Sequence, residues 1–156
     1  MGDLAAAAGV ARATVYRYFP NREALRDELG RLALEQAADR LEAARLDAVG
    51  VEEGFARAVR ALVAVGDAFV VLVRQRAAPG AEDFERRVTA ALRGLIERGQ
   101  SLGEIRNDIP AAWLTESLLG VVVSVLVSAP SLGLEDTVDS ITSVFLEGVR
   151  ARTGST

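Results

Sequence analysis

Residues 9–26 read Gly-Val-Ala-Arg-Ala-Thr-Val-Tyr-Arg-Tyr-Phe-Pro-Asn-Arg-Glu-Ala-Leu-Arg. This stretch joins a glycine turn to a short helix and to the start of another helix. Gly9 suits the positive φ that a tight turn between helices requires. Residues 11–18 predict the short helix. Pro20 ends it, because a proline disfavours helical geometry at the residue before it. Asn21 is a favourable N-cap for the next helix, so the segment predicts a helix-turn-helix unit.

The polar residues of the short helix distinguish a DNA-binding unit from a plain helical hairpin. A plain hairpin would carry Glu, Lys and Gln on its outer face. Arginine can instead donate to guanine, threonine and tyrosine can donate to phosphate, and the methyl group of Ala13 can contact thymine. Residues 9–26 also contain four arginines against one acid, Glu23, which gives a local charge of +3. The candidate DNA-contacting residues are Arg12, Ala13, Thr14, Tyr16, Arg17, Tyr18 and Arg22.

The composition argues against catalysis and against secretion. The chain has 156 residues, a net charge of −4, and neither cysteine nor histidine, so it lacks thiolates, the commonest general base and the usual zinc ligands. Carboxylate pairs such as Glu52 and Glu53 fall at predicted helix starts, where acids favour the helix dipole. The opening residues show no signal peptide, and the longest uncharged apolar run, residues 117–131, is too short to span a bilayer. We expect a cytoplasmic protein that is not an enzyme and has no cofactor or metal.

Apolar periodicity predicts an all-α protein with close to nine helices. Breakers such as residues 78–80 separate the predicted helices, and a kink is expected near Gly66. The helix predicted over residues 110–129 is apolar almost all round, with Glu116 as its single charge. The further predicted helices cover residues 3–8, 22–48, 51–76, 82–100 and 134–152.

The string Ala-Gly-Val-x-x-x-Thr-Val-Tyr-Arg-Tyr-Phe-x-x-Arg-Glu-Ala-Leu, residues 8–25, resembles the tetracycline-repressor-like (TetR) family of bacterial transcription regulators. The resemblance implies a DNA-binding domain over residues 1–45 and a helical ligand-binding and dimerisation domain over residues 46–156. Family members often have serine at the position of Ala11. They also carry one more helix before the position of Met1, and we expect a misplaced chain boundary to explain that difference.

The resemblance also implies roles for individual residues. Arg12, Ala13 and Arg17 would face the bases, whereas Thr14, Tyr16, Tyr18 and Arg22 would mostly contact phosphates. An apolar helix in so small a chain needs a partner surface, and the family pairs its last two helices in a homodimer. The candidate interface residues are Leu118, Val121, Val122, Val125, Leu126, Ile141, Phe145 and Val149.

The family also places a small-molecule cavity among its middle helices, although each apolar candidate here can equally be a core residue. The candidate lining residues are Phe55, Val59, Leu62, Phe69, Leu92, Ile96, Trp113 and Ser117. The expected function is a repressor that binds double-stranded operator DNA as a homodimer and is released by a small-molecule effector. The alternative is a ligand-binding and dimerisation module that has lost DNA binding through truncation.

Overall fold

A computed structural model describes residues 6, 9, 11–75, 81–128 and 132–150 of the chain. The described part is built from helices, and its one pairing of extended backbone is a bridge between Ile105 and Arg150. The expected all-α fold is confirmed. The elements are α1 (Arg12–Tyr18), α2 (Arg22–Ala43), a 3₁₀ turn (Leu46–Ala48), α3 (Val51–Val63), α4 (Asp67–Gln75), α5 (Ala81–Phe84), a π turn (Glu85–Thr89), α6 (Ala90–Ser101), α7 (Ala111–Ser128) and α8 (Leu134–Val149).

Backbone geometry divides three of the predicted helices. The helix predicted over residues 22–48 ends at Ala43, because Arg45 adopts a left-handed φ of 48° before the 3₁₀ turn. Gly66, with φ of 67°, separates α3 from α4 where a kink was expected. The helix predicted over residues 82–100 contains the π turn, in which the N–H of Ala90 donates to the carbonyl of Glu85, five residues back. Of the helix predicted over residues 3–8, only Ala6 lies among the described residues, and it is helical.

Helices α2 to α8 share one hydrophobic core. The C-terminal half of α2 packs on α3 and α4, α3 packs on α6 and α8, and α7 contacts α4 and α6. Phe55 of α3 and Phe145 of α8 lie at the centre, with their ring centroids 5.5 Å apart. Six of the predicted ligand-lining residues are completely buried in this core: Phe55, Val59, Leu62, Phe69, Leu92 and Ile96.

The two faces of α7 correct several of the predicted sites. Trp113 is 72% exposed and Ser117 is also exposed, so the prediction that they line an internal cavity is wrong. Five of the predicted interface residues are buried within the chain itself and offer no surface to a partner: Leu118, Val122, Ile141, Phe145 and Val149. On α7 the physical reason is that apolar residues occur on both faces, so composition does not show which face is turned inward. On α8 the apolar stripe packs against α3 of the same chain instead of a partner. Val121, Val125 and Leu126 are half-buried at the edge of the core.

By length and composition, α7 is the one helix among the described residues that could cross a membrane, and 33% of it is buried in the protein. Its buried residues pack against other helices of the chain. Its opposite face is left uncovered by the described residues.

Candidate nucleic-acid interface

The turn before α1 has the geometry that the sequence requires. Gly9 has φ of 64°, and its N–H donates to the carbonyl of Ala6 over 3.2 Å, which is how a helix commonly ends at a left-handed glycine. Ala11 precedes α1 as its N-cap residue and offers no side-chain hydrogen bond there. The absence of a hydroxyl at this position therefore leaves α1 without a side-chain cap.

The short helix α1 has one buried anchor and a polar outer face. Val15 is 6% exposed and holds the helix to the rest of the protein. Tyr16 and Tyr18 are 41% and 67% exposed, and Arg17 is also exposed. Ala13 is exposed and Thr14 is half-buried, whereas the side chain of Arg12 lies outside the described part of the structure. The structure thus brings most of the candidate DNA-contacting residues to one accessible helix.

The connection from α1 to α2 fixes the position of a further cation. The N–H of Phe19 donates to the carbonyl of Val15 over 2.8 Å and closes α1. Asn21 then caps α2, because its Oδ1 accepts a hydrogen bond from the N–H of Ala24 over 2.7 Å. Arg22 is consequently the first residue of α2, and it is exposed as predicted for a phosphate contact.

Arg26 was not among the candidates, but it is exposed one helical turn after Arg22. Residues four apart on a helix share a face, so this spacing is the sequence signal that identifies it. Another contact had no clear signal in the sequence. The guanidinium carbon Cζ of Arg17 lies 5.1 Å from the centroid of the Tyr18 ring, within the range of a cation–π interaction.

Helix α2 connects this unit to the core. Its 22 residues span about 33 Å at 1.5 Å per residue. Near its middle, Arg31 donates to Glu28 and Glu35 over 2.9 and 2.6 Å, and the hydrogen bond with Arg31 lowers the pKa of the Glu28 carboxyl. These contacts are exposed, and exposed ion pairs of this kind contribute little to the stability of a helix. Beyond them, Ala33 and Ala37 are buried in the core.

A groove of about 900 Å³ lies beside the C-terminal half of α2, between it, the 3₁₀ turn and α6. Apolar side chains such as Leu41, Leu46 and Leu95 line it. Three arginines also line it: Arg45, Arg87 and Arg98. None of the eight residues predicted to contact a ligand is among its lining residues. Within the described ranges, no group of three or more His, Cys, Asp or Glu residues could hold a metal ion.

The fold and this interface define a class: an α-helical protein with an N-terminal helix-turn-helix unit. Residues 1–29 match the family described as bacterial regulatory proteins, tetR family. Residues 1–29 are therefore similar to the tetR family, as their sequence suggested, and the whole chain has the fold of solved structures described as tetR-family regulators. The family that this segment resembles and the structural neighbours of the chain are transcriptional regulators and not enzymes. No curated protein matches the sequence.

Three solved structures illustrate the likeness of fold. A regulatory protein of the tetR family from Rhodococcus RHA1 has a TM-score of 0.76 and 16% identity, with 96% of this chain and 85% of that chain covered. The regulator LfrR from Mycobacterium smegmatis, solved in complex with proflavine, has a TM-score of 0.74 and 22% identity, over 94% and 83%. The regulator PfmR from Thermus thermophilus has a TM-score of 0.71 and 21% identity, over 93% and 86%.

Proposed function

We propose that the protein is a cytoplasmic repressor that binds a palindromic operator as a homodimer and releases it when a small molecule binds. The observation that carries this proposal is the accessible face of α1, where Tyr16, Arg17 and Tyr18 project from a helix anchored by Val15. A helix of this size fits the major groove, where side chains can contact base edges. Arg22 and Arg26, which are exposed at the start of α2, would contact phosphates.

Selection of operators from a random duplex library tests DNA binding. The Arg17→Ala variant should lose its preference at one base pair. If this arginine contacts guanine, the loss is about 1–3 kcal/mol of the binding free energy that discriminates between bases. Arg22→Ala should weaken binding to all sequences alike and reduce the salt slope by about one unit. Arg74→Ala, which removes an exposed cation of α4, is the control and should change neither. Wild-type protein that enriches no sequence from the library would disprove the DNA-binding function.

The uncovered face of α7 supports the homodimer. Its outward residues recur at alternating steps of four and three, the spacing of a helix–helix seam: Trp113, Ser117, Gly120, Ser124 and Val127. The serines and the glycine are small and allow a second helix to approach closely. Val144 of α8, which is 68% exposed, adds an apolar side chain outside the core. We therefore assign the interface to this face of α7 and to the exposed part of α8.

Sedimentation measurements test this assignment. Gly120→Glu and Val144→Glu should each convert a dimer into a monomer, because an unpaired carboxylate would be buried between subunits at a cost of several kcal/mol. Leu102→Glu is the matched control, since Leu102 is 62% exposed in the loop after α6 and lies outside the interface. A monomeric wild-type protein at micromolar concentration would refute the dimer.

The groove beside α2 is the proposed effector site. Its volume of about 900 Å³ lies within the usual range for small-molecule sites, and it combines an apolar lining with guanidinium groups. We assign to it an apolar effector that carries a hydrogen-bond-accepting or acidic group. Compounds of this class should raise the melting temperature of the wild type but not of Gly94→Phe, which fills the groove. Glu97→Phe, an exposed change on the same helix, should keep the response. An equal response in Gly94→Phe would exclude the groove.

A further inference from the structure

The contact between Arg17 and Tyr18 is unusual for neighbouring residues of a helix. Successive side chains project about 100° apart around the helix axis, so residues i and i+1 do not normally face each other. Here the Arg17 guanidinium carbon nevertheless lies 5.1 Å from the Tyr18 ring centroid. Both side chains must therefore turn towards each other at the C-terminal end of α1.

The Tyr18 ring is attached to a well-fixed part of the backbone. Tyr18 is the last residue of α1, and the next N–H, that of Phe19, donates to the carbonyl of Val15 over 2.8 Å. Val15 is itself anchored by burial, with 6% exposure. A tyrosine side chain has only two rotatable angles, so this ring loses little freedom when it serves as a platform. Arginine is longer and carries much more rotamer entropy.

We propose that Tyr18 is a positioning residue for Arg17: its ring holds the guanidinium in a restricted set of orientations before DNA is bound. This inference rests on the proposed operator binding and adds a specificity role to a residue otherwise expected to contact phosphate. An arginine that makes two parallel hydrogen bonds to guanine must be ordered, and ordering before binding reduces the entropy lost at the interface. Tyr18 then has two separable parts, since the ring orients Arg17 and the hydroxyl reaches phosphate.

The exposure of the pair limits the size of the effect. Tyr18 is 67% exposed, and cation–π contacts at exposed sites are weak. Loss of the ring should reduce the preference for the cognate base pair about two- to five-fold. Loss of the hydroxyl alone should reduce the affinity equally for every DNA sequence, so the preference for the cognate base pair should not change.

The experiment compares Tyr18→Phe, which keeps the ring, with Tyr18→Leu, which removes it. Each variant is titrated against the selected operator and against duplexes in which one base pair is changed. That base pair is the one for which the Arg17→Ala protein loses its preference. The ratio of the affinities for the selected and the changed duplexes should fall in Tyr18→Leu and be retained in Tyr18→Phe. In an Arg17→Ala background, Tyr18→Leu should have no further effect on this ratio. Equal ratios in the Phe and Leu variants would overturn the positioning role, as would an effect that persists without Arg17.

A measurement on the free protein separates this inference from the proposed function. NMR of the Arg17 side chain should show a ring-current shift and restricted Nε–H motion in the wild type and in Tyr18→Phe, and neither in Tyr18→Leu. A mobile Arg17 in the wild type would overturn the inference even if operators are selected normally. A restricted Arg17 in a protein that selects no operator would instead locate the failure in the proposed function. Circular dichroism confirms that each variant keeps its helices.

Discussion

Two glycines of α6 should respond in opposite ways to the same substitution. Gly94 is exposed, and a Cβ built on it would have no heavy atom within 4 Å. Gly99 is buried, and a Cβ there would lie 2.5 Å from Cδ1 and 2.8 Å from Cγ1 of Ile105, and 3.1 Å from Cγ1 of Val51. Gly99 also accepts hydrogen bonds from the N–H groups of Glu104 and Ile105, so the chain after α6 folds back against it.

The magnitudes follow from two opposing effects. Alanine stabilises a helix interior by about 1 kcal/mol relative to glycine, so Gly94→Ala should raise the free energy of unfolding by up to that amount. At position 99 the same gain is offset by overpacking, which costs about 1–3 kcal/mol in a well-packed core. Ile105 is 2% exposed and has little room to move away. Gly99→Ala should therefore leave the protein between about zero and 2 kcal/mol less stable than the wild type.

Thermal and urea unfolding of both variants measures this difference. With about 2–4 °C of melting temperature per kcal/mol in a chain of this size, the two variants should differ by several degrees. Ile105→Val removes the Cδ1 atom nearest to the added methyl group. It should therefore partly restore Gly99→Ala, so that the double variant is more stable than the two single effects predict. Equal stabilisation by Gly94→Ala and Gly99→Ala would refute the close packing at Gly99.

Two further predictions concern polar groups. Thr89 is 2% exposed and its hydroxyl has no hydrogen-bond partner among the described residues, so Thr89→Val should stabilise the protein by about 1 kcal/mol in urea unfolding. Thr115→Val is the control and should not stabilise, because the Thr115 hydroxyl donates to the carbonyl of Ala111 over 2.8 Å. Arg60 of α3 donates a hydrogen bond to Glu135 of α8, and this contact lowers the pKa of the Glu135 carboxyl below its ordinary value of 4.5. The pair therefore stabilises the fold at neutral pH. This stabilisation is lost as the pH falls through the lowered pKa. The small stability difference between wild type and Glu135→Gln should therefore vanish in acid, and a difference that persists there would contradict the assignment.

Local signals in the sequence predicted the part of the helix-turn-helix unit that lies among the described residues. The positive φ of Gly9, the Asn21 cap and the break at Gly66 each follow from the chemistry of one residue, so a single sequence is enough to predict them. The end of α2 carried no such signal. Arg45 takes a left-handed conformation that is uncommon for arginine, and the π turn at residues 85–89 involves no glycine or proline. Neither feature follows from the preference of a single residue, so the sequence alone does not predict it.

The positions of side chains around α7 were the hardest to predict. An amphipathic helix reveals its inner face through its polar residues, but α7 has apolar residues on both faces, and its single charge, Glu116, marks only one exposed position. The sequence therefore predicts that Trp113 lies inside and Val122 at the surface, the reverse of what the structure shows. Small residues provided the missing signal. Gly120 and the exposed serines follow a seam on the side opposite Val122, and their polarity and small size fit a surface for helix packing better than a core.

The geometry of α2 suggests how an effector in the proposed groove would act on the DNA-binding unit. The helix carries Asn21 and Arg22 at one end, whereas Leu41 lines the groove at the other, about 30 Å away at 1.5 Å per residue. Between the two ends, the residues that α2 buries are small: Gly30, Ala33, Ala37 and Ala38. Small side chains interlock weakly, and packed helices that interlock weakly can slide by the small steps typical of shear motions. An effector that separates α2 from α6 would therefore move α2 as a rigid body and, through Asn21, displace α1. The two α1 helices of a dimer would then no longer have the spacing that two major grooves require.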